Sequence, residues 1–258
     1  MAALARYNSG MSKRSLAVLL VIAIFSGIYI YGRLSVPPEA PAQPVFLGFK
    51  GKVPPEISIG DASKKQVIFT FDCGGSTQSA DAILKALARH HLIGTFFMTG
   101  LFARKYPDIV KRIAAEGHEI FNHTDTHPHL TEIPDWQIKK ELAALDLALM
   151  KLTGKSAQPY FRAPYGDRDQ RVLAAAAQAG YQSVYWTDDA LDWEQPTGMT
   201  AGKVHDRILA HLKPGAIYLM HMGDSITGKI LDQVFNEIET KGYKVVSLTQ
   251  GLAAATTH

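Results

Sequence analysis

Two side chains able to do chemistry follow the most strand-like stretch of the sequence. Asp72 and Cys73 end the run V-I-F-T-F-D-C (67–73), whose β-forming residues predict a buried strand. Gly74 and Gly75 then let the backbone turn without a clash at Cβ. The edge where strands meet their loops is where parallel α/β proteins bind ligands. A helix-capping Asp beside a small buried Cys is the simpler interpretation of this stretch alone.

A pair of histidines follows another predicted strand, which ends at Phe121. His123 and His127 lie in N-H-T-D-T-H-P-H. A separation of four residues puts two imidazoles on one side of a turn, where they can share a metal ion. Loop histidines are more often solvated than ligating, so the pair alone does not establish a metal site. His129 is predicted to be a surface residue.

The stretch F-R-A-P-Y-G comes after a short predicted strand. Arg162 at this place can hold a carboxylate in one orientation. Pro164 stiffens the loop that presents the backbone of Tyr165. An ordinary loop with a salt bridge is the alternative interpretation.

Two further stretches combine carboxylates with an imidazole. W-T-D-D-A-L-D-W (186–193) supplies three carboxylates and two indoles, and His221 ends the predicted strand I-Y-L-M-H. A carboxylate behind an imidazole fixes its tautomer and supports its charged form, as a general acid requires. Taken singly, each stretch is more often structural.

The elements that must position these residues alternate between strand-like and helix-like patterns. The clearest helix is predicted over 135–152, where apolar residues recur every three or four positions. Repeated β–α units predict a parallel sheet. The number of units and the lack of a Rossmann glycine fingerprint favour a closed or nearly closed barrel over an open sheet.

The N-terminal segment predicts a membrane anchor. Residues 16–31 are all apolar or small, and three basic residues precede them. We therefore expect a short cytoplasmic N-terminus over 1–14 and a transmembrane signal anchor over 15–33, with a cleaved signal and secretion as the alternative. Both place the remainder outside the cytoplasm. A proline-rich spacer over 34–60 then leads to one folded domain over 61–258.

Composition narrows the possible partners. The net charge of +3 is small and scattered, and no dense basic run interleaved with aromatics indicates a nucleic-acid partner. A single cysteine excludes an intramolecular disulfide. The length suits one α/β domain with a sizeable core.

The five stretches together resemble the motifs of the polysaccharide deacetylases, the NodB homology or carbohydrate esterase family 4 enzymes. T-F-D-x-G, H-[ST]-x-x-H, R-x-P-Y, D-x-x-D-W and L-x-H occur in this order, each after a predicted strand. The segments G-T-F-F-M-T-G and G-H-E-I are also similar to that family. The resemblance covers about residues 61–250 and implies a distorted (β/α) barrel of about seven parallel strands, NodB-like in form.

The resemblance implies a role for each of these residues. Asp72 would be the general base that takes a proton from water, and Arg162 would orient it. His123 and His127 would bind a metal ion. The backbone N–H of Tyr165 would help to stabilise the oxyanion.

It also implies the remaining parts of the site. Asp192 would tune His221, the general acid that protonates the departing amine. Trp193 and Leu219 would wall the pocket around the acetyl methyl group. The implied function is metal-dependent hydrolytic deacetylation of an N-acetylated glycan outside the cytoplasmic membrane, with the N-acetylglucosamine of peptidoglycan as the first candidate.

Cys73 departs from the family pattern, in which a second Asp is usually the third metal ligand. A thiolate can ligate zinc, and its softness favours Zn²⁺ over manganese or magnesium. The predicted metal site is therefore Zn²⁺ on His123, His127 and Cys73. Two alternatives stay open at Cys73: a non-ligating pocket residue, or loss of catalysis that leaves a glycan-binding module. The motifs do not separate amide hydrolysis from O-acetyl esterase activity on xylan or chitin-type glycans.

Overall fold

The computed structural model describes residue 49 and residues 52–253. The predicted N-terminus (1–14), signal anchor (15–33) and most of the predicted spacer lie outside these residues. Among the residues that are described, no helix is long and apolar enough to cross a membrane.

Eight strands form one sheet whose strand pairs are all parallel. In chain order they are β1 Gln66–Cys73, β2 Thr95–Met98, β3 Glu119–Asn122, β4 Tyr160–Phe161, β5 Gln182–Ser183, β6 Asp188–Asp189, β7 Ile217–His221 and β8 Lys244–Val246. The order across the sheet is β5-β4-β3-β2-β1-β7-β6, and β8 pairs with the first residues of β1. The prediction of about seven parallel strands is confirmed by the seven strands of this path. The expected closed or nearly closed barrel is corrected to a half-barrel, because β5 and β6, at its two ends, do not pair with each other.

Helices follow most of the strands. Between residues 52 and 253 they are α1 Ala80–Arg89, α2 Gly100–Lys105, α3 Pro107–Ala115, α4 Asp135–Thr153, α5 Gln170–Gln178, α6 Ala201–Ala210, α7 Ser225–Thr240 and α8 Leu248–Leu252. The predicted helix over 135–152 is confirmed as α4, which ends at Gly154 in the left-handed conformation that glycine tolerates. The short elements β6 and α2 are not predicted, because two and six residues are too few to show a period.

The strand β1 is buried on both faces, as a central parallel strand should be. Its odd-numbered residues, from Val67 to Cys73, pack into the core between sheet and helices. Ile68 packs instead with residues such as Phe97 and Ile217 on the inner side of the half-barrel. Each fully buried apolar side chain contributes roughly 1.5–3 kcal/mol, so this burial fixes the register. Asp72 is thereby held on the inner side, at the carboxyl edge.

Candidate active site

A cavity of about 890 Å³ lies at the carboxyl edge of the sheet. Among its lining residues are the predicted site residues Asp72, His123, His127, Tyr165, Trp193, Leu219 and His221. The predicted residues Arg162 and Asp192 are fully buried next to those they were expected to serve. The structure therefore brings nine of the ten predicted site residues together, and Cys73 is the exception.

Asp72 is held between two cationic or basic partners. Its Oδ1 accepts a hydrogen bond from Arg162 Nη1 at 2.7 Å, and its Oδ2 lies 3.4 Å from His123 Nε2. Burial by itself would raise the pKa of Asp72, but the charges of Arg162 and His221 and the hydrogen bond from Arg162 hold that pKa below its usual value. The carboxylate is thus ionised at neutral pH and able to accept a proton.

Arg162 is locked in place by the backbone around it. Its Nε donates to the Val184 carbonyl oxygen (3.3 Å), its Nη2 to the Tyr185 carbonyl oxygen (3.2 Å) and its Nη1 also to Thr70 Oγ1 (2.9 Å). The guanidinium lies 4.2 Å from the centre of the Phe97 ring. A guanidinium with these fixed partners presents one direction to Asp72.

The two histidines lie close together just after the end of β3. The ring centres of His123 and His127 are 4.9 Å apart, with 72° between the ring planes. His123 Nδ1 lies 2.9 Å from the carbonyl oxygen of Arg162, to which it donates in the neutral tautomer, leaving the Nε2 lone pair free. Burial lowers the pKa of both rings, and for His127 burial and the neighbouring His123 lower it to about 4. Both imidazoles are therefore neutral, the form that binds metal ions.

Cys73 does not join the histidines. It is fully buried on the helix-facing side of β1, with Sγ 3.5 Å from the Phe71 carbonyl oxygen and 3.9 Å from Met222 Sδ. Burial raises the pKa of the thiol well above its usual value. The prediction of Cys73 as a metal ligand is corrected by this placement. Pairing with β2 extends β1 through Cys73, so the alternation of the strand turns its side chain away from that of Asp72.

The donor set fits a cation held by two imidazoles. Over residues 52–253, no group of three or more His, Cys, Asp or Glu side chains is placed to hold a metal ion. His123 and His127 are neutral, and the backbone carbonyl behind His123 fixes its ring as in known metal sites. Other positions around such a cation would be left to water or substrate.

His221 stands beside Asp72 in the sheet, since the two residues are paired in the register of β1 and β7. Its Nδ1 donates to Asp192 Oδ1 at 2.9 Å, and its backbone N–H donates to Asp192 Oδ2 at 2.7 Å. Thr227 Oγ1 donates to the same Oδ2. Burial would lower the pKa of His221, but the hydrogen bond and charge of Asp192 outweigh it and raise the pKa to about 9. The protonated ring can act as a general acid.

The aromatic and apolar walls also lie where they were predicted. Tyr165 sits in the short 3-10 turn Pro164–Gly166 with φ of 58°, and its side chain is 63% exposed. Trp193 is half exposed and its Nε1 donates to Asp189 Oδ2 at 3.2 Å. Leu219 is almost fully buried in the cavity wall.

Several residues of the site were not predicted from the sequence. Asp224 lines the cavity three residues after His221, and an acidic residue so soon after a strand end is a usable signal. Glu141 lies behind the histidines, and a carboxylate on the apolar face of a predicted helix is a signal that could have revealed it. His129 is exposed as expected, but its ring stacks on Tyr165 at 4.1 Å.

Comparison with known proteins agrees with this geometry. The sequence model of the polysaccharide deacetylase family matches residues 59–184. The peptidoglycan-N-acetylmuramic acid deacetylase PdaA of Bacillus subtilis (strain 168) is 30% identical over 240 residues, covering 86% of this chain and 91% of that protein. The peptidoglycan-N-acetylglucosamine deacetylase of Bacillus cereus is 34% identical over 193 residues, covering 73% and 69%. A solved carbohydrate esterase family 4 pseudoenzyme from Bacillus anthracis superposes with a TM-score of 0.73 at 27% identity, covering 78% and 69%.

A half-barrel with a carboxylate and an imidazolium facing one cavity has the proton acceptor and the proton donor that general acid–base chemistry requires. This chain belongs to the polysaccharide deacetylases, hydrolases that cleave the amide bonds of N-acetylated glycans. The predicted family membership is confirmed. Enzymes of this family are generally metal-dependent.

Proposed function

We propose that this chain removes the acetyl group from N-acetylglucosamine residues of a glycan, peptidoglycan first, with Zn²⁺ held by His123 and His127. The observation that carries the proposal is the opening of Asp72 and His221 into one cavity beside two neutral imidazoles. The two bacterial relatives compared above are named for the deacetylation of peptidoglycan sugars, which supports this substrate.

The two ionised residues, Asp72 and His221, each carry out one proton transfer of amide hydrolysis. Asp72 takes the proton of the attacking water, and Arg162 fixes the carboxylate for that transfer. His221 gives its proton to the departing nitrogen, and Asp192 stabilises its charged form. When bound, the cation supplies Lewis acidity, which makes water a better nucleophile and the acetyl carbonyl a better electrophile.

The walls of the cavity position the acetyl group. The backbone N–H of Tyr165 stabilises the oxygen on which negative charge develops. Trp193 and Leu219 surround the acetyl methyl group with apolar surface, which favours acetyl over longer acyl groups.

Acetate release from peptidoglycan and from N-acetylglucosamine oligomers tests the function. We expect Asp72→Asn to lower kcat by about 10²- to 10⁴-fold with an unchanged circular dichroism spectrum, because an amide of the same shape replaces the proton acceptor. Asp108→Asn, at an exposed site on α3, is the control. Near-wild-type turnover in Asp72→Asn would mean that the base is misassigned. No acetate from any N-acetylated or O-acetylated glycan at saturating zinc would overturn the enzyme proposal.

A glycan-binding module is the second candidate. Two observations favour it: no third protein ligand accompanies the two histidines in the described range, and a pseudoenzyme shares the fold. Calorimetric binding of N-acetylglucosamine oligomers without acetate release at saturating zinc would select this candidate. Retention of both a proton acceptor and a proton donor in the cavity favours the enzyme.

We also propose that segment 15–33 anchors the chain in the cytoplasmic membrane, with the catalytic domain outside. The uncharged run and the basic residues before it support this placement. Membrane fractionation of cells that express the full chain, followed by protease treatment of spheroplasts, tests it. A protein that fractionates with the cytosol would contradict the anchor, and a secreted product lacking residues 1–33 would indicate a cleaved signal.

A further inference from the structure

The loop that carries the two histidines has an unfavourable backbone. Thr124 and His127 both have positive φ angles, 67° and 65°. A non-glycine residue in this region costs roughly 1–3 kcal/mol and persists only where its surroundings impose it. The conformation that turns both imidazoles to the cavity must therefore be held from outside the loop.

Hydrogen bonds within the loop and to the neighbouring helix α2 provide part of this support. Asn122 Oδ1 accepts from the Thr124 N–H at 2.9 Å, and Thr124 Oγ1 accepts from the His127 N–H at 3.1 Å. Arg104 of α2 donates two bonds to the Asp125 carboxylate, at 2.6 and 3.1 Å. The first two hydrogen bonds act within the loop itself. The ion pair of Arg104 with Asp125 is exposed on the Arg104 side, and such pairs contribute little to stability.

The strongest external support comes from Glu141 of α4. Its Oε2 accepts from the backbone N–H groups of Asp125 (3.0 Å) and Thr126 (2.7 Å), and its Oε1 accepts from Thr126 Oγ1 (2.9 Å). Glu141 is only 9% exposed, so its carboxylate has no easy substitute in water for these three donors. All three bonds fall between the two histidines in sequence.

We propose that Glu141 is a positioning residue that holds the loop of residues 123–127 with both imidazoles facing the cavity, and so sets the affinity of the site for its cation. The effect of Glu141 on cation affinity rests on the proposed function, whereas its effect on the loop conformation does not. Glu141 does not itself line the cavity and bonds to neither imidazole, so it acts through the backbone of Asp125 and Thr126 and through the Thr126 hydroxyl.

Zinc affinity, measured by competition with a chromophoric chelator, tests the role. We expect Glu141→Ala to weaken Zn²⁺ binding about 10- to 100-fold, the usual effect of losing a group that orients a ligand. Glu141→Gln should stay within about threefold of wild type, because its amide oxygen can still accept both N–H groups. Glu239→Ala on α7 is the control and should bind zinc as wild type does. Wild-type affinity in Glu141→Ala would overturn the proposal.

Two further measurements keep the test decisive. If Glu141→Ala does not fold, Thr126→Val removes one of the three bonds, and unchanged zinc affinity there would count against the role. If wild type binds no zinc, the cation of the proposed function fails on its own. Hydrogen exchange at the Asp125 and Thr126 amides then tests the positioning role of Glu141: faster exchange in Glu141→Ala than in Glu141→Gln supports it, and exchange in Glu141→Ala equal to that of wild type refutes it.

Discussion

Arg162 and Asp192 have the same kind of role, since each is a buried charged residue that pairs with an ionised residue of the cavity. Both are fully buried, and each contacts one ionised residue of the cavity: Arg162 contacts Asp72, and Asp192 contacts His221. Removing one partner of a buried ion pair leaves an uncompensated charge, which is more costly than losing the attraction alone. The two pairs therefore fix which residue can accept a proton and which can donate one.

The Asp192–His221 pair makes a pH-dependent prediction. We expect Asp192→Asn to lower the pKa of His221 from about 9 toward the ordinary value of about 6.5, measured by NMR titration of the ring. Since the folded pKa lies above the unfolded one, the charged ring stabilises the fold fully below pH 6.5, and this contribution disappears as the pH rises through 9. The variant should therefore lose less stability than wild type between pH 6.5 and 9.

The same substitution should move the alkaline limb of kcat/KM to lower pH, because His221 would lose its proton earlier. Asp206→Asn, at an exposed position on α6, should leave both the titration and the limb unchanged. An unaltered His221 pKa in Asp192→Asn would show that another group sets it.

Cys73 provides a second test at this scale. Because its Sγ lies in the core between Phe71 and Met222, we expect Cys73→Ala to keep wild-type zinc affinity within about twofold and to lower the free energy of unfolding by about 1 kcal/mol. Chelator competition and urea unfolding measure the two effects. A tenfold loss of zinc affinity would return the thiol to the ligand set.

At the element scale, the start of α2 supports the histidine loop. Thr99 Oγ1 caps this helix by accepting the Phe102 N–H at 3.1 Å, and the next residue, Gly100, donates its N–H to the Thr124 carbonyl oxygen at 3.0 Å. A Cβ at Gly100 would lie 1.8 Å from Asp125 Oδ1. Glycine is therefore required by the close approach of helix and loop.

We expect Gly100→Ala to lower the free energy of unfolding by about 1–3 kcal/mol, because the added methyl group displaces Asp125. Gly202→Ala on α6 is a matched control, since a Cβ there meets open space, and it should be neutral or stabilise by up to about 1 kcal/mol. Chemical unfolding checks both. Equal effects of the two substitutions would show that the approach of α2 to the loop is not tight.

At the scale of the whole molecule, the ends of the half-barrel are linked by the segment before β1. Ile57 pairs with Val184 after β5, and Ile59 pairs with Ala216 before β7. Residues 57–59 thereby run from the β5 end of the sheet to the start of β7, and Thr187, just before β6, donates to the Ser58 carbonyl oxygen at 2.6 Å.

A metal ion that binds only the folded protein raises its free energy of unfolding. Zinc at 100 times its Kd should add about 2.7 kcal/mol, which raises the Tm by roughly 5–10 °C for a domain of this size. His123→Ala should abolish most of this shift. His129→Ala, at an exposed position two residues after the loop of residues 123–127, should keep it. Calorimetry or dye-based unfolding measures the shift. An equal shift in His123→Ala would place the zinc elsewhere.

Local signals in the sequence, apolar periodicity and motifs at strand ends, predicted the parallel β–α order, the long helix α4 and nine residues that lie in or beside one cavity. What surrounds Cys73 depends on the tertiary structure. The strand ends at Cys73 as predicted, but its pairing with β2 and the packing of Met222 place the thiol in the core. Long-range pairing also decided that the sheet is a half-barrel, and helix packing placed Glu141 against a loop 15 residues earlier in the chain. These outcomes depend on contacts between distant segments, which no local pattern records.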